Sequence, residues 1–150
     1  MLVGCGAPGA SARSALSVDA ERPLVPRTYT DGGITLSAPT SQATTVTAKD
    51  AYGACISGAA DCPAGAPNFA ELASVTDTQY GQTDASGTVM HTIQGRMSWV
   101  FTWHNIACPP RVGPKPPGTA AAPTTLCDWL VLVDASSRAF LITYAGPPAQ

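Results

Sequence analysis

The sequence predicts a small α+β domain in which one N-terminal helix packs on a three- to four-stranded antiparallel sheet stapled by disulfides. One stretch, residues 47–57, combines a capping pattern with apolar residues near helical spacing. Residues 89–108 and 127–146 are instead rich in aromatic and β-branched residues and are separated by turn residues. Four of the five cysteines fall between residues 55 and 127. A length of 150 residues suits one such domain.

The first 32 residues are predicted to be a flexible tether, because they are small, polar and interrupted by prolines. The domain is then expected to span residues 33–146, and residues 147–150 to form a frayed tail. Its first element is a short strand at 33–39, where Ile34 and Leu36 alternate with small polar residues. Pro39 ends that strand.

The predicted helix covers residues 47–57. Thr47 and Asp50 form a start resembling a capping box, and the acid lies in the first turn, where the helix dipole favours it. Gly58 is a suitable stop.

The remaining elements are predicted to be strands. The segment FAELASVTDTQYG, residues 69–81, reads as the first long strand, although FAELASV could extend the helix instead. Residues 89–108 form the clearest strand. Residues 109–125 contain six prolines and form a loop, and 127–135 with 139–146 form a hairpin around Ser-Ser-Arg. The run WLVLV in this hairpin is apolar on both faces, which indicates a central strand.

The cysteine positions favour two bridges. Cys108 closes one predicted strand and Cys127 opens the next, so antiparallel pairing would bring them together, and Cys55 and Cys62 lie seven residues apart. We therefore expect the pairs 55–62 and 108–127. Three pairings of four cysteines exist, and the sequence alone does not exclude the others.

Composition narrows the possible functions. The eight basic residues are scattered and the formal net charge is −2, which argues against a nucleic-acid partner. No apolar run approaches the roughly 20 residues of a membrane-spanning helix.

The tetrapeptide LVGC at residues 2–5 resembles a bacterial lipobox, in which a peptidase cuts before the cysteine and the thiol receives a lipid. This resemblance implies that Cys5 anchors the protein to the outer face of the cell membrane. Such export needs a basic and an apolar segment before the cleavage site, and only Met1 precedes the tetrapeptide. The expectation therefore includes an upstream signal peptide missing from this chain.

The order of TAKDAYGA, strands and LVDASSRAFLITYAG resembles the PepSY-like pattern of bacterial envelope proteins, in particular uncharacterised lipoproteins of high-GC Gram-positive bacteria. The match runs loosely from residue 46 to 146; Ser137 stands where that pattern prefers Gly, and the proline-rich loop is an addition. The resemblance implies a non-catalytic envelope domain that restrains or binds peptidases.

Catalytic and metal sites have weak support. His91 and His104 are 13 residues apart and lack the spacing of a metal motif, so neither metal nor cofactor is expected. Ser98, His104 and Asp134 could be supplied by any chain of this size, and no nucleophile-elbow motif is present. Asp128 and Asp134 lie at strand ends, where Asp134 is expected to bind a turn backbone rather than act in acid–base catalysis.

The cysteines of the domain are expected to be bridged rather than nucleophilic, because Cys55 falls at a helix C-terminus and not at the N-terminus that would activate a thiol.

The aromatic and aliphatic residues of the predicted strands would make both faces of the sheet apolar. One short helix covers only one face, so something else must cover the second face. Core packing is the simpler interpretation; the functional one is a contact face for a partner. Its candidate residues are Trp99, Phe101, Trp103, Trp129 and Tyr144.

We therefore expect a binding or regulatory envelope lipoprotein with a protein or peptide partner and no enzymatic activity. Two alternatives stay open: a small extracytoplasmic enzyme or accessory subunit of one, and a self-assembling structural component of the envelope. The oligomeric state is not predicted.

Overall fold

The computed structural model describes residues 15–57, 62–91, 93–108, 116–118, 120 and 124–150. Within these ranges the chain forms eight strands and one α-helix, α1, at Ala48–Ser57. The strands are β1 Arg27–Tyr29, β2 Ile34–Ser37, β3 Phe69–Asp77, β4 Gly81–Thr83, β5 Val89–His91, β6 Arg96–Ala107, β7 Leu126–Asp134 and β8 Phe140–Gly146. Two short 3-10 turns, Val18–Ala20 and Thr30–Gly32, flank β1.

The main sheet has six antiparallel strands among the described residues, in the order β1-β2-β3-β6-β7-β8, and it curls into a half-barrel. The predicted three- to four-stranded sheet preceded by an N-terminal helix is therefore wrong. Two strands come before α1 in the chain, and the protein is mostly sheet. Strands β4 and β5 form a separate two-stranded ribbon between β3 and β6.

The extra strands come from a hairpin at the start of the described chain. The sequence RTYTDGGITL forms β1, a turn and β2, with Tyr29 opposite Ile34. Gly33 takes the left-handed conformation, φ +66°, that this turn requires and that glycine adopts at little cost. This hairpin lies partly in the stretch predicted as tether, of which residues 1–14 fall outside the described residues. Its Tyr29 is buried because it packs inside the curled sheet.

One face of the sheet packs against α1. We call this the helix-side core; the helix contributes Ala48, Ala51, Tyr52 and Cys55, and the sheet contributes Leu72, Trp99, Phe101, Trp103, Val131 and Val133. The predicted helix at 47–57 is confirmed, and its capping side chain is Thr47, whose Oγ1 accepts a hydrogen bond from the Asp50 N–H at 3.1 Å.

The opposite face is covered by the sheet itself. We call this the inner core; it contains Tyr29, Ile34, Leu36, Val75, Val100, Leu130, Leu132 and Ile142. Strand β7 alternates between the two cores, which explains why WLVLV is apolar throughout. Because the sheet curls, its second apolar face is buried against the sheet itself, which the sequence did not predict.

The predicted strand at 89–108 is broken in two. Gly95 has φ +59°, and the chain turns there so that the Ile93 side chain enters the inner core. Strand β6 then begins at Arg96. A second irregularity follows Trp103, where the register with β7 shifts and Asn105 has φ 55°. Such bulges re-aim the side chains beside them.

Both predicted disulfides are confirmed. Cys55–Cys62 joins the end of α1 to the following segment, with the Cα atoms 6.2 Å apart. Cys108–Cys127 joins the end of β6 to the start of β7, with the Cα atoms 5.0 Å apart. These bridges indicate an oxidising, extracytoplasmic environment.

The predicted C-terminal hairpin is also confirmed. Asp134 organises its turn: one carboxylate oxygen accepts hydrogen bonds from the backbone and hydroxyl of Ser136 and of Ser137, at 2.6–2.9 Å. The other oxygen accepts from Arg96 Nε at 2.6 Å. The Asp134 carboxylate therefore binds the backbone of the turn, as the sequence predicted.

Candidate functional site

A groove of about 1000 Å³ opens at the edge of the helix-side core. Its floor is made by Leu72 and Trp99. One wall is the segment 21–24, which we call the strap, and the other is the segment 38–48 between β2 and the first residue of α1. Eight of the 13 lining residues are apolar, and the polar ones are Glu21, Arg22, Gln42, Thr44 and Thr47.

Trp99 is fixed in the floor by its indole. Its Nε1–H donates to the Val46 carbonyl at 2.8 Å, so the ring is tied to the segment that enters α1. Only 6% of Trp99 is exposed. Trp99 is therefore held in place by this bond, and it contributes a small exposed area to the groove.

A buried carboxylate holds the strap in place. Glu71 on β3 is fully buried, and its two oxygens accept from Arg22 Nε at 3.1 Å and from Arg27 Nη2 at 2.5 Å. Arg22 also stacks over the Phe69 ring, with its guanidinium carbon 3.3 Å from the ring centre. These contacts tie the strap, through Arg22, and the start of β1, through Arg27, to Glu71 on β3.

The polar contacts continue from Arg27 across the inner core. Arg27 Nε donates to the Tyr29 hydroxyl at 2.9 Å, and that hydroxyl donates to Asp128 Oδ2 at 3.4 Å. His104 Nδ1 lies 2.6 Å from Asp128 Oδ1. Four strands, β1, β3, β6 and β7, and the strap are thereby joined by one chain of charged and hydroxyl groups.

Burial perturbs two of these groups. It opposes the charge on Arg27, but the hydrogen bonds to Glu71 and Tyr29 outweigh it and raise the pKa of the guanidinium. Burial also raises the pKa of the Tyr29 phenol. Arg27 is therefore a permanent cation and Tyr29 a neutral donor at physiological pH.

The aromatic residues proposed as a partner surface occupy different places. Trp99, Phe101 and Trp103 lie in the helix-side core, where Phe101 is fully buried and Trp103 is 3% exposed. Trp129 packs against the same core and is half-buried, whereas Tyr144 packs on the inner core. Of the five, only Trp99 lines the groove. Their role in binding a partner stays a prediction.

The other candidate residues fall into two separate pairs. His104 pairs with Asp128 and not with Asp134. Ser98 lies opposite Asp134 in the β6–β7 register, but its hydroxyl donates to the Arg96 carbonyl at 3.2 Å. No cluster of three potential metal ligands occurs among the described residues. Cys5, the predicted lipidation site, lies outside them.

Sequence reasoning missed the strap and Glu71. The signal was an acid inside the apolar run FAELASV, which in a strand predicts a buried carboxylate needing a cation. Its partners, Arg22 and Arg27, were assigned to the tether and so were not considered.

No family model matches the sequence, and no curated protein or solved structure matches it at a significant level. In the part of the chain that the structure describes, no helix is long and apolar enough to cross a membrane.

Proposed function

We propose that this chain is a non-catalytic binding or regulatory domain of the cell envelope, and that the groove over Trp99 is its binding site. The groove is the observation that carries the proposal. It combines a concave shape, an aromatic floor and a few polar groups on walls fixed by hydrogen bonds.

Membrane anchoring is part of the proposal. The LVGC sequence at residues 2–5 supports a lipid on Cys5, and the two disulfides are consistent with an extracytoplasmic location. Intact mass of protein from the membrane fraction, expressed with the upstream codons, tests it. An acylated N-terminal Cys5 with four oxidised cysteines is expected; a chain that starts at Met1 without a lipid would refute the anchor.

The binding role is tested by a photo-cross-linking amino acid placed at Ala43, which is exposed and lines the groove. A matched control places the same group at Ser86, in the exposed turn between β4 and β5. Irradiation of cells should give a discrete cross-linked product from position 43 and none from position 86. The proposal fails if position 43 gives no product, or if both positions give the same products.

A second candidate is a small extracytoplasmic enzyme. The observation that favours it is the pair His104 and Asp128, in which a buried carboxylate orients a half-exposed imidazole. Such a base would act at the bulge after Trp103 and not in the groove. His104→Gln would abolish that activity and leave cross-linking from position 43 unchanged.

A further inference from the structure

Residues 15–24 lie beside the sheet without becoming one of its strands. We call this segment the arm; it contains the first 3-10 turn and the strap. Among the described residues, an isolated bridge joins its backbone to the sheet: Glu21 lies beside Ala70, and the Arg22 N–H donates to the Ala70 carbonyl at 3.1 Å. Past this bridge the pairing stops, and in the described part of the chain the Leu24 N–H makes no backbone hydrogen bond. The arm is therefore not held by a ladder of strand hydrogen bonds.

The side chains of the arm bury little apolar surface. Ala20 is buried, Leu16 is half-buried against the helix-side core, and Leu24 is half-buried against the inner core. The exposed residues of the arm are Ala15, Ser17, Asp19, Glu21 and Pro23. A segment with few buried apolar contacts and few backbone hydrogen bonds opens at a lower free energy than the centre of a sheet.

Glu71 has one fixed cation and one that can leave. The Arg27 side chain is the more buried of its two partners, and its guanidinium also donates to the Tyr29 hydroxyl and the Val25 carbonyl. The arm supplies the second partner, Arg22, which is the more exposed and donates to Glu71 from Nε. Release of Arg22 leaves Glu71 paired with Arg27. Arm opening therefore avoids the high cost of a buried carboxylate without a cation.

Val25 fixes the chain to the sheet immediately after the arm. Its N–H donates to Glu71 Oε1 at 3.4 Å, and its carbonyl accepts from Arg27 Nη1 at 2.9 Å. Both partners belong to the ion pair that remains when Arg22 leaves. Strand β1 begins two residues later, so the arm has an anchored point about which it can turn.

We propose that residues 15–24 are a releasable arm that peels from the edge of β3 about Val25 while the six-stranded sheet stays folded. The structure shows the closed form, in which Arg22 holds the strap against β3. Since the strap is one wall of the groove, release of the arm widens the groove and uncovers the edge of β3 at Ala70. This inference concerns the free protein and does not depend on the proposed function.

Native-state hydrogen exchange of the isotope-labelled protein, followed by NMR, tests the release. After correction for intrinsic rates, the Arg22 amide should exchange at least about 100-fold faster than the amides of Phe101 and Leu132 in the central strands β6 and β7. Low urea should speed the two sheet amides and leave the Arg22 amide almost unchanged, because local opening exposes little surface. Equal protection with equal urea dependence would overturn the inference, because the arm would then open only when the whole domain unfolds.

Three variants separate opening of the arm from unfolding of the domain, and their amide spectra check that each is folded. Arg22→Gln should speed exchange of the residue-22 amide about three- to tenfold, because an ion pair and a ring contact are lost. Leu16→Ala should speed the Arg22 amide about threefold or more, because residue 16 leaves the helix-side core when the arm moves as one unit.

Asp134→Asn is the matched control, because it weakens the turn between β7 and β8 and touches no residue of the arm. It should speed the Phe101 and Leu132 amides and leave the Arg22 amide unchanged. An equal effect on all three amides would show that the arm opens only with the sheet. That result, or the absence of an effect from Arg22→Gln or from Leu16→Ala, would overturn the inference.

Discussion

The rings of Tyr29 and Tyr144 lie 5.4 Å apart and are tilted by 56°, although they come from β1 and β8, the two edge strands of the sheet. The sheet thus curls far enough for its edges to meet at one point. Around that point Tyr144 also fills the space beside Gly32, in the turn after β1. The inner core is closed by side-chain packing there.

The packing of the Tyr144 ring requires a glycine at position 32. A Cβ at position 32 would lie 2.5 Å from Tyr144 Cε2, so Gly32→Ala should cost about 1–3 kcal/mol of stability through overpacking. Chemical denaturation measures the loss. In a Tyr144→Leu background, which lacks the clashing ring atoms, the same substitution should cost little; an equal cost in both backgrounds would mean that the ring is not the cause.

The buried Glu71 carboxylate should be essential for stability. Glu71→Gln leaves Arg27, whose side chain is 13% exposed, without its charge partner, and should cost about 3 kcal/mol in urea unfolding. Arg22→Gln is the comparison, because Arg22 is 35% exposed and water replaces much of the interaction, so its loss should stay near or below about 1 kcal/mol. The reverse order of the two losses would contradict the assignment.

Asp134 should make stability depend on pH. Burial opposes its charge, but hydrogen bonds from Ser136, Arg96 and Ser137 outweigh burial and lower the pKa of the carboxyl in the folded state. A lowered folded-state pKa stabilises the fold above the unfolded value of about 3.9, and this contribution disappears as the pH falls further.

The measurement compares unfolding of the wild-type protein and Asp134→Asn between pH 7 and pH 2. The difference in free energy of unfolding between the wild-type protein and Asp134→Asn should be largest at neutral pH and should decrease steadily below about pH 4. Asp19→Asn, which removes an exposed carboxylate outside the turn, is the control and should show a small gap throughout. A gap for Asp134→Asn that widened in acid would show that the sign is wrong.

The two disulfides should stabilise the fold to different extents. Removing Cys108–Cys127 as a double serine variant should cost about 3 kcal/mol, because the bridge closes the longer loop, with a sequence separation of 19. Removing Cys55–Cys62, with a separation of 7, should cost less, about 2.5 kcal/mol in the same loop-entropy model. Thermal and urea unfolding of both variants test this ranking. A greater loss of unfolding free energy in the variant that lacks Cys55–Cys62 would contradict it.

Local patterns predicted the local structure well. The capping residues at Thr47 and Asp50 and the hairpin around Asp134 are encoded within a few neighbouring residues, and each formed where expected. The Cys55–Cys62 bridge followed from a spacing of seven residues, and Cys108–Cys127 followed from the positions of both cysteines at the ends of two strands that were expected to pair. These features depend on interactions that nearby side chains decide.

The curl and the groove depend on distant residues. Arg27 and Glu71 are 44 residues apart in the chain, and Tyr29 and Asp128 are 99 apart. The alternation of Ile34 and Leu36 did predict the strand that became β2, but β1 has three residues, too few to show an alternation, and the DGG turn was the remaining signal that the two form a hairpin. Prediction from sequence therefore undercounted the strands and left the groove unseen.

The Cys108–Cys127 bridge has a consequence for proteolysis. A protease that cuts anywhere between these two residues leaves the two fragments covalently joined, and the β6–β7 pairing on either side of the cut keeps its register. The nicked protein would run as two pieces only after reduction. A domain built this way tolerates cleavage in that segment without losing its core.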